Sequence, residues 1–190
     1  IMRRGIGDRT ILDDFVEDFC EVVETHVKYI ICSGFVAIAH GRSRATEDID
    51  MIILKISKDS FIRLHRDLEN AGFECMQSPN PNEIYDCYLI LGDSIRYTRK
   101  GEFLPEMEVK FAKDELDIEQ IRTRKKIPFT KLDVYFSSIE SNIAFKEEYL
   151  KADKDLEDAK HLRIIYEEKI NENEVNRIKE KIREFRYETR

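Results

Sequence analysis

No apolar run in this chain approaches the ~20 residues needed to cross a bilayer, and its first residues lack the basic, apolar and small-residue succession of a secretory signal. A cytoplasmic protein without a membrane partner is the expectation. Cysteine is sparse and scattered. Cys20, Cys32, Cys75 and Cys87 form no C-x-x-C pair and have no His at zinc-ligand spacing, so they read as reduced, mostly buried thiols. Gln is nearly missing, with only Gln77 and Gln120 against 37% charged residues. Such a Lys/Glu-rich, Gln-poor surface occurs in heat-adapted proteins, where intracellular disulfides also form, so Cys pairing stays open. Excess positive charge is absent too. A formal charge of −7 excludes broad coating of nucleic acid and leaves only local patches, Arg42 with Arg44, or Arg122, Arg124, Lys125 and Lys126. The second run reads as a solvated helix end.

What is present suffices for a core: 190 residues at 42% apolar fit one compact domain with a helical appendage. Asp8 is placed to cap a first helix whose apolar residues, from Ile11 to Val27, recur at helical spacing. Tyr29 to Cys32 reads as a short strand, Ser33-Gly34 as a tight turn and Phe35 to Ala39 as a brief helix. After a polar loop, Ile49 to Ile56 reads as a second strand, and a helix from Asp59 or Ser60 runs to about Ala71 with Gly72 as its stop. Ile84 to Leu91 leans to helix. Ser94 to Arg99 and Met107 to Phe111 read as adjacent strands, the second alternating Met107, Val109 and Phe111 with Glu106, Glu108 and Lys110. Asp114 to Arg122 is expected helical and Lys131 to Phe136 extended. From Ser137 onward come three helical stretches with candidate caps Ser137, Asp153 and Asn173.

The chemistry is concentrated between Cys32 and Ile53. Asp48 and Asp50, two apart on a strand, project to one face while Ile49 and Met51 project to the other. Two bare carboxylates side by side repel, so the arrangement is favourable mainly around a cation, and hard oxygen ligands select Mg²⁺ or Mn²⁺. The wet face of the Met107 strand offers a third carboxylate, Glu108, with Glu106 as its substitute. Three carboxylates can hold two ions about 4 Å apart, as in-line phosphoryl-type displacement requires. At Ser33-Gly34, glycine lets backbone approach a phosphate and the following helix start offers free N–H groups.

A small-Gly turn opening a helix, then a loop, then Asp-apolar-Asp on a strand, then a distant acidic strand resembles the nucleotidyltransferase superfamily. The loop sequence Arg44-x-Thr46-x-Asp48-Ile49-Asp50 is similar to the R-x-[ST]-x-D-h-D of AbiEii-like nucleotidyltransferases, a group that includes toxins of toxin-antitoxin systems. Glu140-x-x-Ile143-Ala144-x-Lys146 and Lys154-Asp155-x-x-Asp158 look like that group's helical E-x-x-h-A-x-K and K-D-x-x-D elements. The resemblance implies that Asp48, Asp50 and Glu108 hold metal and serve catalysis. It further implies that Ser33, Gly34, Arg44 and Thr46 contact the nucleotide, with Lys146 and Asp155 meeting it or bracing the site. One departure is Phe35 after the turn glycine, where many members carry Ser or Gly.

The expectation is thus an α/β (α+β) fold: a nucleotidyltransferase-type core over residues 1–136, with a mixed sheet of about five strands and helices largely on one side. A helical C-terminal extension over 137–190 follows. The activity implied is metal-dependent transfer of NMP from an NTP to an acceptor hydroxyl, with release of pyrophosphate. The acceptor, whether protein, transfer RNA or small molecule, stays open, as does a cognate antitoxin partner. Haloacid-dehalogenase phosphatases and many glycosyltransferases end an apolar strand with their acidic pair, whereas here the pair begins one. The alternative of another class is a non-catalytic nucleotidyltransferase-like module that binds nucleotide or protein. His40, beside Gly41, reads as satisfying a helix carbonyl rather than as catalytic.

Overall fold

The first helix, α1 (Ile11–Glu24), starts at a capping box: the Asp13 N–H donates to the Thr10 hydroxyl at 3.2 Å and the Thr10 N–H donates to the Asp13 carboxylate at 2.9 Å. Asp8, the cap expected from the sequence, lies outside the described residues, which in this computed structural model are 10–43 and 48–188. Then follow β1 (Tyr29–Cys32), α2 (Gly34–Ala39), β2 (Asp48–Ile53), α3 (Lys58–Asn70), β3 (Phe73–Cys75), α4 (Pro81–Cys87), β4 (Ile95–Arg99), β5 (Glu106–Phe111) and α5 (Glu115–Arg122). The chain ends with β6 (Lys125–Lys126), β7 (Tyr135–Phe136), α6 (Ile139–Ala144), α7 (Asp153–Ile165) and α8 (Glu172–Glu188).

The strands form one mixed seven-stranded sheet in the order β3-β4-β5-β2-β1-β7-β6. β2 with β5 and β1 with β7 are parallel and the other pairs antiparallel. Seven strands replace the expected five because β3 and β6 are too short to show a two-residue period in sequence. Lys131–Phe136 narrows to the two residues of β7, since Pro128–Thr130 make a 3₁₀ turn and Lys131 takes φ 57°. β2 stops at Ile53, not Ile56. The stretch of uncertain state is helix α4, capped by Asn80 with Pro81 at its first position, followed by a 3₁₀ turn at Leu89–Leu91.

Alternation divides the sheet into two unlike faces. Tyr29, Ile31, Ile49, Met51, Met107, Val109, Ile95 and Tyr97 enter the main core, where α1 and α3 cover them with Phe15, Phe19, Val23, Phe61, Leu64 and Leu68. On the other face Ile30 and Ile52 meet Ile121 of α5 in a small separate cluster, leaving Asp48, Asp50, Glu106, Glu108 and Lys110 around it. The C-terminal helices join the main core through Ile143, Ala144, Leu162, Val175, Ile178 and Ile182.

Ser138, not Ser137, caps α6, and Asn171, not Asn173, accepts from the Glu174 N–H at the start of α8. α7 begins at Asp153 itself, after Ala152. α6 runs on as a π-helical turn, Phe145–Leu150, closed by Lys151 at φ 61°. All four cysteines are unbonded, with only Cys20 fully buried and Cys87 exposed. The basic run is spent locally: Arg124 and Lys126 lie over the Tyr135 ring, and Lys126 pairs with Asp133 at 2.9 Å. Among the described residues no helix is long and apolar enough to cross a membrane.

Candidate active site

The bend between β1 and α2 sets the site. Ser33 adopts φ 64°, ψ −135°, a conformation rare outside glycine that stores strain where surrounding contacts hold it. Its side chain caps no helix N–H; the hydroxyl instead lies beside the Asp50 carboxylate and favours its ionised form. The antiparallel register explains the meeting, because Cys32 lies opposite Asp50. Burial pushes the Asp50 carboxyl above the usual carboxylate range; Glu108 and Asp48 push the same way, opposed by the Ser33 hydroxyl and Lys110.

Across the sheet, the parallel β2–β5 register sets Asp50 beside Glu108 and Asp48 beside Glu106. The sequence pattern placed both glutamates on this face, and the fold aligns each with one aspartate. Arg96 of β4 reaches over them, with nitrogens 3.2 Å from Glu108 and 3.3 Å from Glu106. Among the described residues no three acidic, His or Cys side chains converge closely enough to hold an ion. The backbone therefore gathers the acids on one face, while Arg96 engages both candidates for the third ligand.

Beside Asp50 opens a cavity of about 200 Å³ between the polar sheet face, α5 and the π-turn. Ser33, Asp50 and Lys110 line it on the sheet side; Asp117 and Gln120 of α5, and Asn142, Lys146 and Tyr149, line it on the helical side. Lys110 forms no ion pair among the described residues. Burial raises the Asp117 carboxyl, although it accepts the Lys113 backbone N–H at 3.1 Å. Of these residues, Lys110 was legible in the strand alternation; Asp117, Gln120, Asn142 and Tyr149 carried no motif.

Lys146 is 1% exposed and bonds Asp158 at 2.8 Å, with Asp155 farther at 3.8 Å. Arg42 closes the same cluster, pairing with Asp158 and Glu157 and donating to the Lys154 carbonyl at 3.1 Å. It thus ties the loop after α2 to α7. Nearby, His40 donates from Nδ1 to the Val36 carbonyl at 2.6 Å, satisfying the helix carbonyl as expected, and accepts the Tyr166 hydroxyl at Nε2, 2.9 Å away. Burial lowers its pKa to about 4. Gly34 is buried as the first residue of α2. Arg44 and Thr46 lie outside the described residues.

No family model and no curated protein matches this chain. Solved structures do resemble it. The antibiotic-resistance factor ANT(2'')-Ia in solution superposes with TM-score 0.56 at 15% identity, covering 94% of both chains. ANT(2'')-Ia in complex with adenylyl-2''-tobramycin gives 0.54 at 17% identity over 94% of this chain and 99% of that one. An antigenic nucleotidyltransferase-like protein from Paracoccidioides brasiliensis gives 0.52 at 14% identity, covering 93% and 89%. What the chain shares with them at such identities is the mixed α/β architecture, a nucleotidyltransferase-type fold.

Proposed function

We propose that this chain is a metal-dependent nucleotidyltransferase that moves NMP from an NTP to an acceptor hydroxyl. The observation that carries the reading is the register of Asp50 beside Glu108, with Asp50 and Ser33 together lining the edge of a cavity. The donor chemistry fits a hard divalent cation: Asp48, Asp50 and Glu108 present only carboxylate oxygens, and a positive charge beside Asp50 favours the ionised form that burial first, and Glu108 and Asp48 after it, disfavour. Those three residues would hold Mg²⁺ or Mn²⁺ once Arg96 releases Glu108. Such a cation, when bound, polarises the phosphoryl oxygens and neutralises developing charge.

The chain's own groups do the rest. Ser33 orients Asp50, and the backbone at Gly34 lets phosphate oxygens approach. Lys110, which forms no ion pair among the described residues, offers a cation to the triphosphate, and the resemblance assigns nucleotide contacts to Arg44 and Thr46. Lys146 and Asp155 brace the helical wall from within their buried cluster. The acceptor oxygen forms its bond to the α-phosphorus as the bond from that phosphorus to the bridging oxygen breaks. Pyrophosphate departs, and the hydroxyl proton passes to Glu108.

The loop and helix motifs extend the proposal to an AbiEii-like enzyme of a toxin-antitoxin pair, with a cognate antitoxin as partner. Protein hydroxyl, transfer RNA end and small molecule are the acceptor classes; the adenylyl-tobramycin held by ANT(2'')-Ia supports the last. A second reading, a module that binds nucleotide without chemistry, is favoured by Arg96 bridging Glu106 and Glu108. Incubation with each α-labelled NTP, Mg²⁺ and cell extract separates the two. Transfer of label to protein, RNA or small molecule is the expected result; nucleotide binding without transfer from any NTP establishes the second reading.

A further inference from the structure

The hairpin of β4 and β5 ends in an apolar tip. Its base is fixed: the Glu102 N–H donates to the Arg99 carbonyl at 2.9 Å, and Gly101, at φ 78°, donates its N–H to the Glu74 carboxylate of β3, also at 2.9 Å. Beyond that base Phe103 is 84% exposed and Leu104 47%, with Pro105 half-buried beside them. Isolated exposed apolar residues are ordinary on a protein surface, whereas three in succession on a turn are a liability unless a partner covers them.

The tip stands at the rim of the acidic face. Glu106, the first residue of β5, follows Phe103 by three positions, so no more than about 11 Å of backbone separates their Cα atoms. The ladder then sets Glu106 opposite Asp48. The cavity beside Asp50 takes its sheet wall from β1, β2 and the far end of β5, and neither β4 nor the tip lines it. Phe103 is therefore on the side that the proposed reaction leaves to the acceptor.

Charge at this rim selects among acceptors. Asp48, Glu106 and Glu108 are acidic, while Arg96 faces two of them, Arg99 pairs with Asp18, and Lys100 donates to the Glu69 carbonyl at 2.8 Å. An RNA end brings phosphates and binds chiefly through Lys and Arg, which among the described residues of this rim are engaged elsewhere. Shape selects further. A small acceptor is held by concave walls, whereas a convex tip of Phe and Leu fits a pocket on another surface, as aromatic anchors at protein interfaces do.

We infer that the acceptor is a protein, anchored by Phe103 and Leu104 so that one of its hydroxyl side chains lies beside Glu108. The inference rests on the nucleotidyltransferase reading and chooses among its acceptor classes. The side-chain oxygen bonds to the α-phosphorus, the bond from that phosphorus to the bridging oxygen breaks, pyrophosphate leaves, and the hydroxyl proton passes to Glu108.

The test gives the full chain Mg²⁺ and each α-labelled NTP with three separate acceptor pools: a nuclease-treated, dialysed protein extract, total transfer RNA, and tobramycin. Label should enter the protein pool and be lost on protease digestion. The double variant Phe103→Ala with Leu104→Ala, which removes largely exposed side chains, should lower that labelling at least ~10-fold, and Phe103→Tyr, which keeps the ring, should retain most of it. Calorimetric NTP affinity should match wild type in both, since neither residue lines the cavity. Label confined to RNA, to tobramycin or to the chain itself overturns the inference alone, as does protein labelling unchanged in the double variant. A wild type that transfers label to nothing, with or without NTP binding, removes the nucleotidyltransferase reading and this inference with it.

Discussion

The two faces of the central sheet are built from the same strands and follow opposite rules. On β2, Ile49, Met51 and Ile53 are fully buried, each contributing about 1.5–3 kcal/mol by leaving water. The residues between them, Asp48 and Asp50, gather charge beside Glu106 and Glu108, and burial of Asp50 disfavours its ionised form. Stability and the proposed chemistry are therefore interleaved at single-residue spacing, so substitutions at neighbouring positions should separate them. Asp50→Asn is expected to lower metal-dependent NTP turnover by at least ~10³-fold while leaving the melting transition in place. Met51→Ala should cost about 2–5 kcal/mol in urea unfolding, with turnover per folded molecule largely kept. Full turnover in Asp50→Asn would remove the polar face from the mechanism.

The helical wall can be broken independently of the sheet. Lys146 and Asp158 are both buried, and removing one member of a buried ion pair typically costs ~3–5 kcal/mol because the other charge is stranded. Asp158 keeps Arg42, so Lys146→Met should fall near the lower end, about 3 kcal/mol, read by urea unfolding. A double variant, Lys146→Met with Asp158→Asn, should recover part of that loss. Failure to recover any would mean that packing of the lysine stem, not its charge, is what the cluster needs.

His40 gives the comparison a pH axis. Its pKa falls from 6.5 to about 4 in the folded chain, so the folded state binds fewer protons than the unfolded one across that interval. Its contribution is complete above pH 6.5 and is lost as pH drops towards 4, amounting to at most about 3 kcal/mol. The stability difference between wild type and His40→Gln should narrow over that window. A pH-independent difference would show that the imidazole is not held neutral between Val36 and Tyr166.

Strand alternation made the acids legible. Asp48 and Asp50 two apart, and Glu106, Glu108 and Lys110 on the second strand, fall on one face as the two-residue period requires. The β1–turn–α2 unit was equally visible, since Ser33-Gly34 interrupts a β-prone run. Arg96 was not: its role depends on β4 pairing beside β5, a long-range register that the hexapeptide Ser94 to Arg99 does not encode by itself. Gln120 and Asn142 were invisible for a related reason. A lone amide carries no local signal, and these two share a cavity only because the π-helical turn after α6 packs over α5 and the sheet.

Arg96 is where the smallest energetic effect gives the finest discrimination. Its side chain is 47% exposed, and exposed ion pairs contribute ~0–1 kcal/mol, so Arg96→Ala should barely move the unfolding midpoint. Its effect on cation binding should be larger than its effect on stability, because the guanidinium neutralises the two carboxylates that a divalent ion would use. Titration of Mn²⁺ followed by its paramagnetic relaxation should show tighter binding in Arg96→Ala than in wild type, by a few-fold, about 1 kcal/mol. Combining that change with Glu108→Gln should abolish the gain, whereas Glu106→Gln should leave most of it, since the register sets Glu108 beside the half-buried Asp50 and Glu106 beside the exposed Asp48. The reverse pattern would move the third ligand one pleat along β5, to Glu106, and with it the position at which the acceptor hydroxyl loses its proton.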